Sequence, residues 1–375
     1  MSVAGLIFSN IHNSSIPELT GVRTIASVPF GCRYRLIDFP LSNMVNSGIN
    51  KIGIITHNNY QSLVDHLGTG KDWDLARRSG GLKILPPLIA AYDNGNKLYT
   101  TRLESLIGVM NFIARCNEDY IVLSDCDGVC NIDLTKVIDY HIENGADLTI
   151  VTRTIQPGEP IPPEGATKIT ADESNRVTEV MGYVNENTSV EISTNIMVAN
   201  RMFLLNTVIE ASAHGYSHFY KDVVAHLLSK ARIFKYPYEE KYIQITSLEG
   251  YFKSSMELLD KDVRNGLLNV DNRPVFTKLR NSAPTVYAEG SKVVNSCVAD
   301  GCVIEGVVEN SIIFRGVKIG KGTVVKNSIL LQDTYTGKNV SLNCVITDKN
   351  VVIRDGRNLS GHETMPFFIH KGAMV

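Results

Sequence analysis

The chain holds a single tryptophan and seven cysteines, an odd number with no Cys-x-x-Cys among them. Neither a zinc ribbon nor a closed disulfide framework fits that pattern, so a reducing compartment, the cytoplasm, is expected. No apolar run approaches the ~18–20 residues that a membrane span needs. The start, MSVAGLIFSN, carries no basic leader and reads as a first strand. Charge of one sign is also missing: 37 Lys and Arg against 39 Asp and Glu leave a net charge of −2. A chain so balanced has no bulk electrostatic case for a nucleic-acid or anionic-membrane partner.

What is present is globular material, 43% apolar over 375 residues, enough for two or three domains. Through the first ~250 residues, short β-rich runs alternate with helical patterns, the signature of an α/β domain with a largely parallel sheet. Strands are expected at 3–8, 51–56, 120–124 and 147–153, with helices over 41–47 and 131–144. The second helix has Asp133 as its N-cap and Gly145 past its end. Four prolines make 156–166 a surface loop. Thr246 and Glu249 are spaced as a capping box for a following helix. Beyond residue 300, Val307, Ile313, Ile319, Val325 and Leu331 recur every six residues, and Val340, Ile346 and Val352 resume the period. A helix would need spacings of three and four, so this is the hexapeptide pattern of a parallel β-helix, whose stacked coils share one core. An irregular β-sandwich is the alternative. The boundary is placed at 280/281.

Two stretches carry a family resemblance over essentially the whole chain. Residues 29–49 read PFGCRYRLIDFPLSNMVNSGI, and 66–75 read HLGTGKDWDL. Both resemble the bacterial glucose-1-phosphate adenylyltransferase (ADP-glucose pyrophosphorylase) family, whose members make ADP-glucose for glycogen synthesis. The resemblance implies a Rossmann-like nucleotidyltransferase domain (1–280) followed by a left-handed β-helix (281–375).

The same resemblance exposes losses at the active site. Family enzymes bind ATP through a G-G-x-G-T-R loop, whose glycines let backbone N–H groups approach the triphosphate. Here Asn10, Ile11, His12, Asn13, Ser14 and Ser15 take those places. The lysine of the family's K-P-A-V run falls on Ile25, and the sugar-phosphate lysine of E-x-x-E-K-P falls on Tyr183. Ser193–Met197, with Asn195, stand for the sugar-binding S-M-G-I-Y. His218 lies near the usual aspartate of S-x-D-F-G-K-D. Gln244 replaces the aspartate of W-R-D-V-G-T that helps to hold magnesium. Asp127 alone keeps its match, to the aspartate of G-D-H, just past a strand end where open α/β sheets place ligands. Losing one well-placed charge contact costs ~3 kcal/mol, or 100-fold or more in rate. Negligible nucleotidyl transfer is therefore expected, with no competent catalytic residue (Asp127 vestigial), no metal site and no cofactor of the chain's own. Asn10, His12, Ser15, Tyr183, Asn195 and Gln244 line a degenerate cleft.

Such a degenerate member resembles the regulatory, D-type subunit that assembles with an active catalytic subunit, which implies a hetero-oligomer, a heterotetramer, with Mg²⁺ expected in the catalytic partner. Arg23, Arg33 and Arg35 match basic residues that bind anionic effectors in the family. The alternative pairs Arg33 and Arg35 with acids such as Asp38 as a brace. Other readings stay open: an active pyrophosphorylase with a rewired site, or a stand-alone sugar-phosphate sensor. A hexapeptide acyltransferase needs a base in its β-helix, and no histidine lies between His226 and His362. His214, His218 and Asp222 have metal-ligand spacing but read better as surface or cap residues. Cys126 and Cys130 read as buried apolar thiols, and Trp73 as an interface anchor or a packed loop residue.

Overall fold

The computed structural model describes residues 2–86, 100–159, 165–183 and 188–375. Its amino-terminal part is built on a nine-stranded sheet. The strands are β1 (Val3–Phe8), β2 (Lys51–Ile55), β3 (Gly81–Leu85), β4 (Tyr120–Asp125), β5 (Leu148–Ile155), β6 (Thr167–Ala171), β7 (Val177–Gly182), β8 (Val190–Asn200) and β9 (Ile233–Pro237). In space their path runs β7-β6-β8-β4-β1-β2-β3, with β5 and β9 continuing from β8. β1 pairs in parallel with both β2 and β4, whereas β8 is antiparallel to β4 and β5. The sheet is thus mixed, and the parallel part is confined to its β3–β4 half and the β5–β9 pair.

Apolar periodicity accounts for the helices. Over Leu134–Glu143, Leu134, Val137, Ile138 and His141 turn one face to the core, Asp133 caps Thr135 N–H, and Gly145 at φ +54° ends the run. The earlier helix spans Asp38–Asn46, opening three residues before the expected start. One cap moves: Ser247, not Thr246, accepts the N–H of Gly250 at the head of Leu248–Glu257, so Glu249 completes no capping box. Of the proline-rich loop, residues 160–164 lie outside the described residues, as does Val184 beside Tyr183.

From Val286 onward the chain forms three five-stranded parallel sheets, each strand pairing with the one a coil later: Val286 opposite Val303, Val303 opposite Lys318, Lys318 opposite Tyr335. This is the left-handed β-helix of hexapeptide repeats. Ile304, Val308, Ile313, Ile319 and Val325 fill its interior. Asn295, Asn310, Asn327, Asn339 and Asn350 turn its corners at positive φ, which asparagine tolerates better than most residues. The Asn295 amide donates to Asn310 at 2.8 Å, and Asn327 to Asn343 at 3.0 Å.

The two modules are welded. One apolar cluster contains Ile16, Phe30, Phe39 and Tyr251 from the first together with Ile312, Phe314, Ile329 and Ile346 from the second. Across the same joint the Arg23 guanidinium donates to both carboxylate oxygens of Asp348, at 2.9 and 2.8 Å.

Candidate functional site: a plugged cleft and a cationic joint

Phe8, the last residue of β1, lies opposite Asp125, the last of β4. The segments that follow them therefore meet at one sheet edge, the customary ligand position in open α/β folds. A cleft of about 710 Å³ opens there, lined among others by His12, Arg102, Tyr183, Asn195, Tyr220 and Gln244.

The loop after β1 bonds to the protein itself. Asn10 Oδ1 accepts from Ser9, Thr56 and the His57 N–H, while its amide donates to the Asn58 carbonyl. Asn13 Oδ1 accepts the Ile25 N–H at 2.8 Å. Ser15 is buried behind them. The Asn10 and Asn13 side chains thus tie the loop to the rest of the chain.

The floor is a buried charge cluster. His12 Nε2 is 2.7 Å from Asp125 Oδ2 and 3.7 Å from Asp127 Oδ1. The Arg102 guanidinium donates to the same Asp125 oxygen and lies over the rings of Phe8 and Tyr220. Arg102 heads a helix whose capping box is Thr101 with Glu104. Gln244 Nε2 donates to Asp127 Oδ2 at 3.0 Å, held there by the antiparallel pairing of Tyr242–Gln244 with Gly128–Cys130. Gly128 is required: a Cβ would stand 2.3 Å from the Tyr242 hydroxyl. Burial works to raise the Asp125 carboxyl, but Arg102 and His12 more than cancel it and hold it below the usual range. Asp127 goes the other way, pushed up by burial and by Asp125 against His12 and Gln244.

Active relatives are expected to use Mg²⁺, which asks for an octahedron of hard oxygens, several of them water. The donor set here does not fit it. Ligand atoms of His12, Asp125 and Asp127 lie within 4.8 Å of one another, yet an imidazole and a guanidinium already engage Asp125, and the neutral Gln244 amide engages Asp127. Asp125 Oδ1 and Asp127 Oδ1 remain buried without a hydrogen-bond partner. Tyr183 and Asn195 line the cleft wall, Asn195 at φ +61° on an irregularity of β8.

The three arginines separate. Arg33 and Arg35 face a narrow cavity of about 30 Å³ at the joint between the modules, where Lys278, Arg280, Arg315 and Lys349 also converge. Asp38 does not receive the Arg35 guanidinium. Its carboxylate accepts the Arg35 backbone N–H at 3.0 Å and His66 Nε2 at 2.6 Å, while the guanidinium donates to Ser62. Burial, then Arg35, Arg23 and Arg280, hold the Lys349 amine down to about 6, against the pull of Asp348. Arg23 is not in the lining: it is 1% exposed and spends its charge on Asp348. It lies behind the cationic cavity with Nη2 on Asp348, while its Nη1 is buried without a hydrogen-bond partner.

The remaining sequence candidates fall into structural roles. Asp222 accepts the N–H groups of Ser217 and His218, and His214 stacks on Tyr216, so the three gather no ligand set. Cys126 and Cys130 are buried, and burial pushes the Cys130 thiol up to about 12. Trp73 is buried edge-on to His66. Two cleft residues went unread in the sequence. Asp125 stood two positions from Asp127 in Asp-Cys-Asp, and Arg102 was announced only by the Thr101-x-x-Glu104 capping signature.

Comparison with known proteins agrees with both modules. The Nucleotidyl transferase family model matches residues 17–232, and the GlmU-like, C-terminal hexapeptide model matches residues 283–364. The glycogen biosynthesis protein GlgD of Bacillus subtilis (strain 168) is 33% identical over 370 residues, covering 98% of this chain and 95% of that protein. Glucose-1-phosphate adenylyltransferases of Bacillus thuringiensis (strain Al Hakam) and Bacillus anthracis are each 31% identical, covering 94% of this chain and 93% of theirs. With both modules matched and relatives of this identity aligned along nearly its full length, the chain belongs to the nucleotidyl transferase family, among the glucose-1-phosphate adenylyltransferases and their glycogen-synthesis homologues.

Proposed function

We propose that this chain is a regulatory, catalytically impaired subunit of ADP-glucose pyrophosphorylase, working in the cytoplasm in glycogen synthesis. The assembly, not the chain alone, converts ATP and glucose 1-phosphate into ADP-glucose and pyrophosphate. The observation that carries this reading is the engagement of Asp125 by His12 and Arg102, with Gln244 on Asp127. A tied-down Asn10–Ser15 segment supports the same conclusion, since it presents no phosphate cradle.

The regulatory half of the reading rests on the joint. Arg33, Arg35, Lys278, Arg280, Arg315 and Lys349 bring positive charge from both modules to one small cavity. A phosphorylated or other anionic effector placed there would touch both modules and bias their shared geometry, which is how a ligand transmits a coupling free energy to a partner subunit. Val286 and Tyr287 leave apolar area exposed on the first coil, which supports assembly through the β-helix.

The experiment is a mixing assay. The chain, a catalytic adenylyltransferase relative from the same cell, and their mixture are compared for ADP-glucose synthesis and for co-elution. A mixed oligomer with altered kinetics supports the reading. Separate elution with unchanged partner kinetics contradicts it.

A further inference from the structure

The joint between the modules gathers cations and leaves them without an anion. Arg33, Arg35, Lys278, Arg280, Arg315 and Lys349 line its cavity, and no carboxylate is in that lining. The acids behind the wall are already engaged. Asp348 takes the Arg23 guanidinium, Asp38 takes His66 and the Arg35 N–H, and Asp300 takes Arg315 at 2.9 Å. Among the described residues, nothing accepts a hydrogen bond from the half-buried Lys349 amine or from the exposed Arg33 and Arg280 guanidinium groups, and Arg33 lies over the Tyr34 ring instead. Arg23 Nη1, buried behind the same wall, is a further donor without an acceptor. The cavity measures about 30 Å³, against the ~10–15 Å³ that one water needs, which leaves room for a molecule of three atoms.

From this placement we propose that Lys349 is a reversible carbamate site: its amine adds carbon dioxide, and the carbamate supplies the anion that the cationic wall lacks. The site shares its cavity with the effector reading but requires no effector. The neutral lysine nitrogen attacks the carbon of CO₂, the N–C bond forms, and one C=O π pair moves to oxygen. One N–H proton leaves to solvent water. An amine and CO₂ thus give a carbamate anion and a proton, with no change of oxidation state, and loss of CO₂ reverses the step. An ordinary lysine titrates at about 10.4 and has its lone pair protonated at pH 7. Burial, then Arg35 and Arg23, hold the Lys349 amine down to about 6, so the lone pair is free at neutral pH. The cations that repel an ammonium attract a carbamate, so one wall favours both the reactive form and the product. A guanidinium fork also matches a planar carboxylate, and those of Arg33 and Arg280 are uncommitted. Tyr34 and His66 face the same cavity, and burial keeps both neutral at pH 7, pushing the tyrosine up and the histidine down. Carbamate formation would make the charge of the joint depend on dissolved CO₂.

The test equilibrates the full chain with isotopically labelled CO₂ and bicarbonate at neutral pH, traps carbamates by alkylation with triethyloxonium, and maps the label by mass spectrometry. Lys349 should carry at least about tenfold more label than the exposed Lys71 and Lys253, and none after equilibration in CO₂-free buffer. The double variant Arg33→Ala with Arg280→Ala should lower the Lys349 label several-fold, since it both loses attraction for the product and lets the amine hold its proton. An unlabelled Lys349, label no higher than on the two exposed lysines, or label indifferent to loss of both arginines would overturn the inference. The wild-type map decides the site even where the variant folds poorly. It is read on the chain alone, with no partner and no anionic effector, so its failure is distinct from failure of the mixing assay.

Discussion

Replacing Arg23 by methionine separates a brace from a ligand. Arg23 and Asp348 are each 1% exposed, and one guanidinium nitrogen reaches both carboxylate oxygens. Removing one partner of a buried pair typically costs about 3–5 kcal/mol, because the other charge stays buried and unpaired. Here the loss is partly offset. Lys349, adjacent to Asp348, is held down in part by Arg23 itself; without that repulsion it charges near neutral pH and compensates the carboxylate. The low end, about 3 kcal/mol, is therefore expected by equilibrium urea unfolding at pH 7. The double variant Arg23→Met with Asp348→Leu should recover most of it, since no charge is then stranded. Arg33→Ala, on an exposed cation, should move stability by no more than about 0.5 kcal/mol while weakening binding of an inorganic pyrophosphate probe. If Arg23→Met left stability untouched and abolished pyrophosphate binding, Arg23 would be an effector ligand and the brace would be refuted.

Anion binding at the joint should take up a proton. The Lys349 amine sits at about 6, an anion raises it, and so pyrophosphate affinity should climb as pH falls from 8 toward 6. Calorimetry in buffers of different ionisation enthalpy reads the uptake, and equal heats would count against it. His141 is buried, donates or accepts at Thr149 with Nδ1, leaves Nε2 unpaired, and is held by burial down to about 4. Between the unfolded value of 6.5 and that folded value, the unfolded chain binds the extra proton, so stability should fall with acidification across pH 6.5–4. His141→Gln should flatten that slope in urea unfolding. Ile329→Ala, in the cluster shared by both modules, should cost about 2–5 kcal/mol and lower the unfolding midpoint of both modules together; a shift in the β-helix signal alone would deny the weld. Gln244→Asp removes the amide that donates to Asp127 and adds like charge. It should lose about 2 kcal/mol at pH 7, a deficit that shrinks on acidification because burial and Asp125 push the Asp127 carboxyl up, without restoring turnover.

Much of the architecture was legible because it rests on local rules. Period-six aliphatics mark β-helix coils whatever surrounds them, and Asp133 with Gly145 bounds a helix through its own backbone. The sheet's mixed character was hidden, since strand direction depends on how 190–200 crosses back between two parallel strands, a long-range pairing with no residue signature. At the cleft, the sequence exposes what is missing and not what replaces it. The absent glycines and lysines can be read by position, but the reach of Arg102 to Asp125 exists only once helix and sheet are packed. The Arg23–Asp348 pair was hidden for the same reason: 325 positions separate the two, and only the docked β-helix brings them together. The cationic cavity likewise draws on residues from 33 to 349, which no spacing connects.

His12, Arg102 and Gln244 already engage the carboxylates at the sheet edge, and whether they leave room for a metal-bound nucleotide is read by a calorimetric titration of the isolated chain with ATP and Mg²⁺, paired with an ADP-glucose assay on the same sample. The account predicts no saturable Mg²⁺-dependent heat and no product above the uncatalysed rate. Tight, Mg²⁺-dependent ATP binding with turnover matching an adenylyltransferase relative would contradict it.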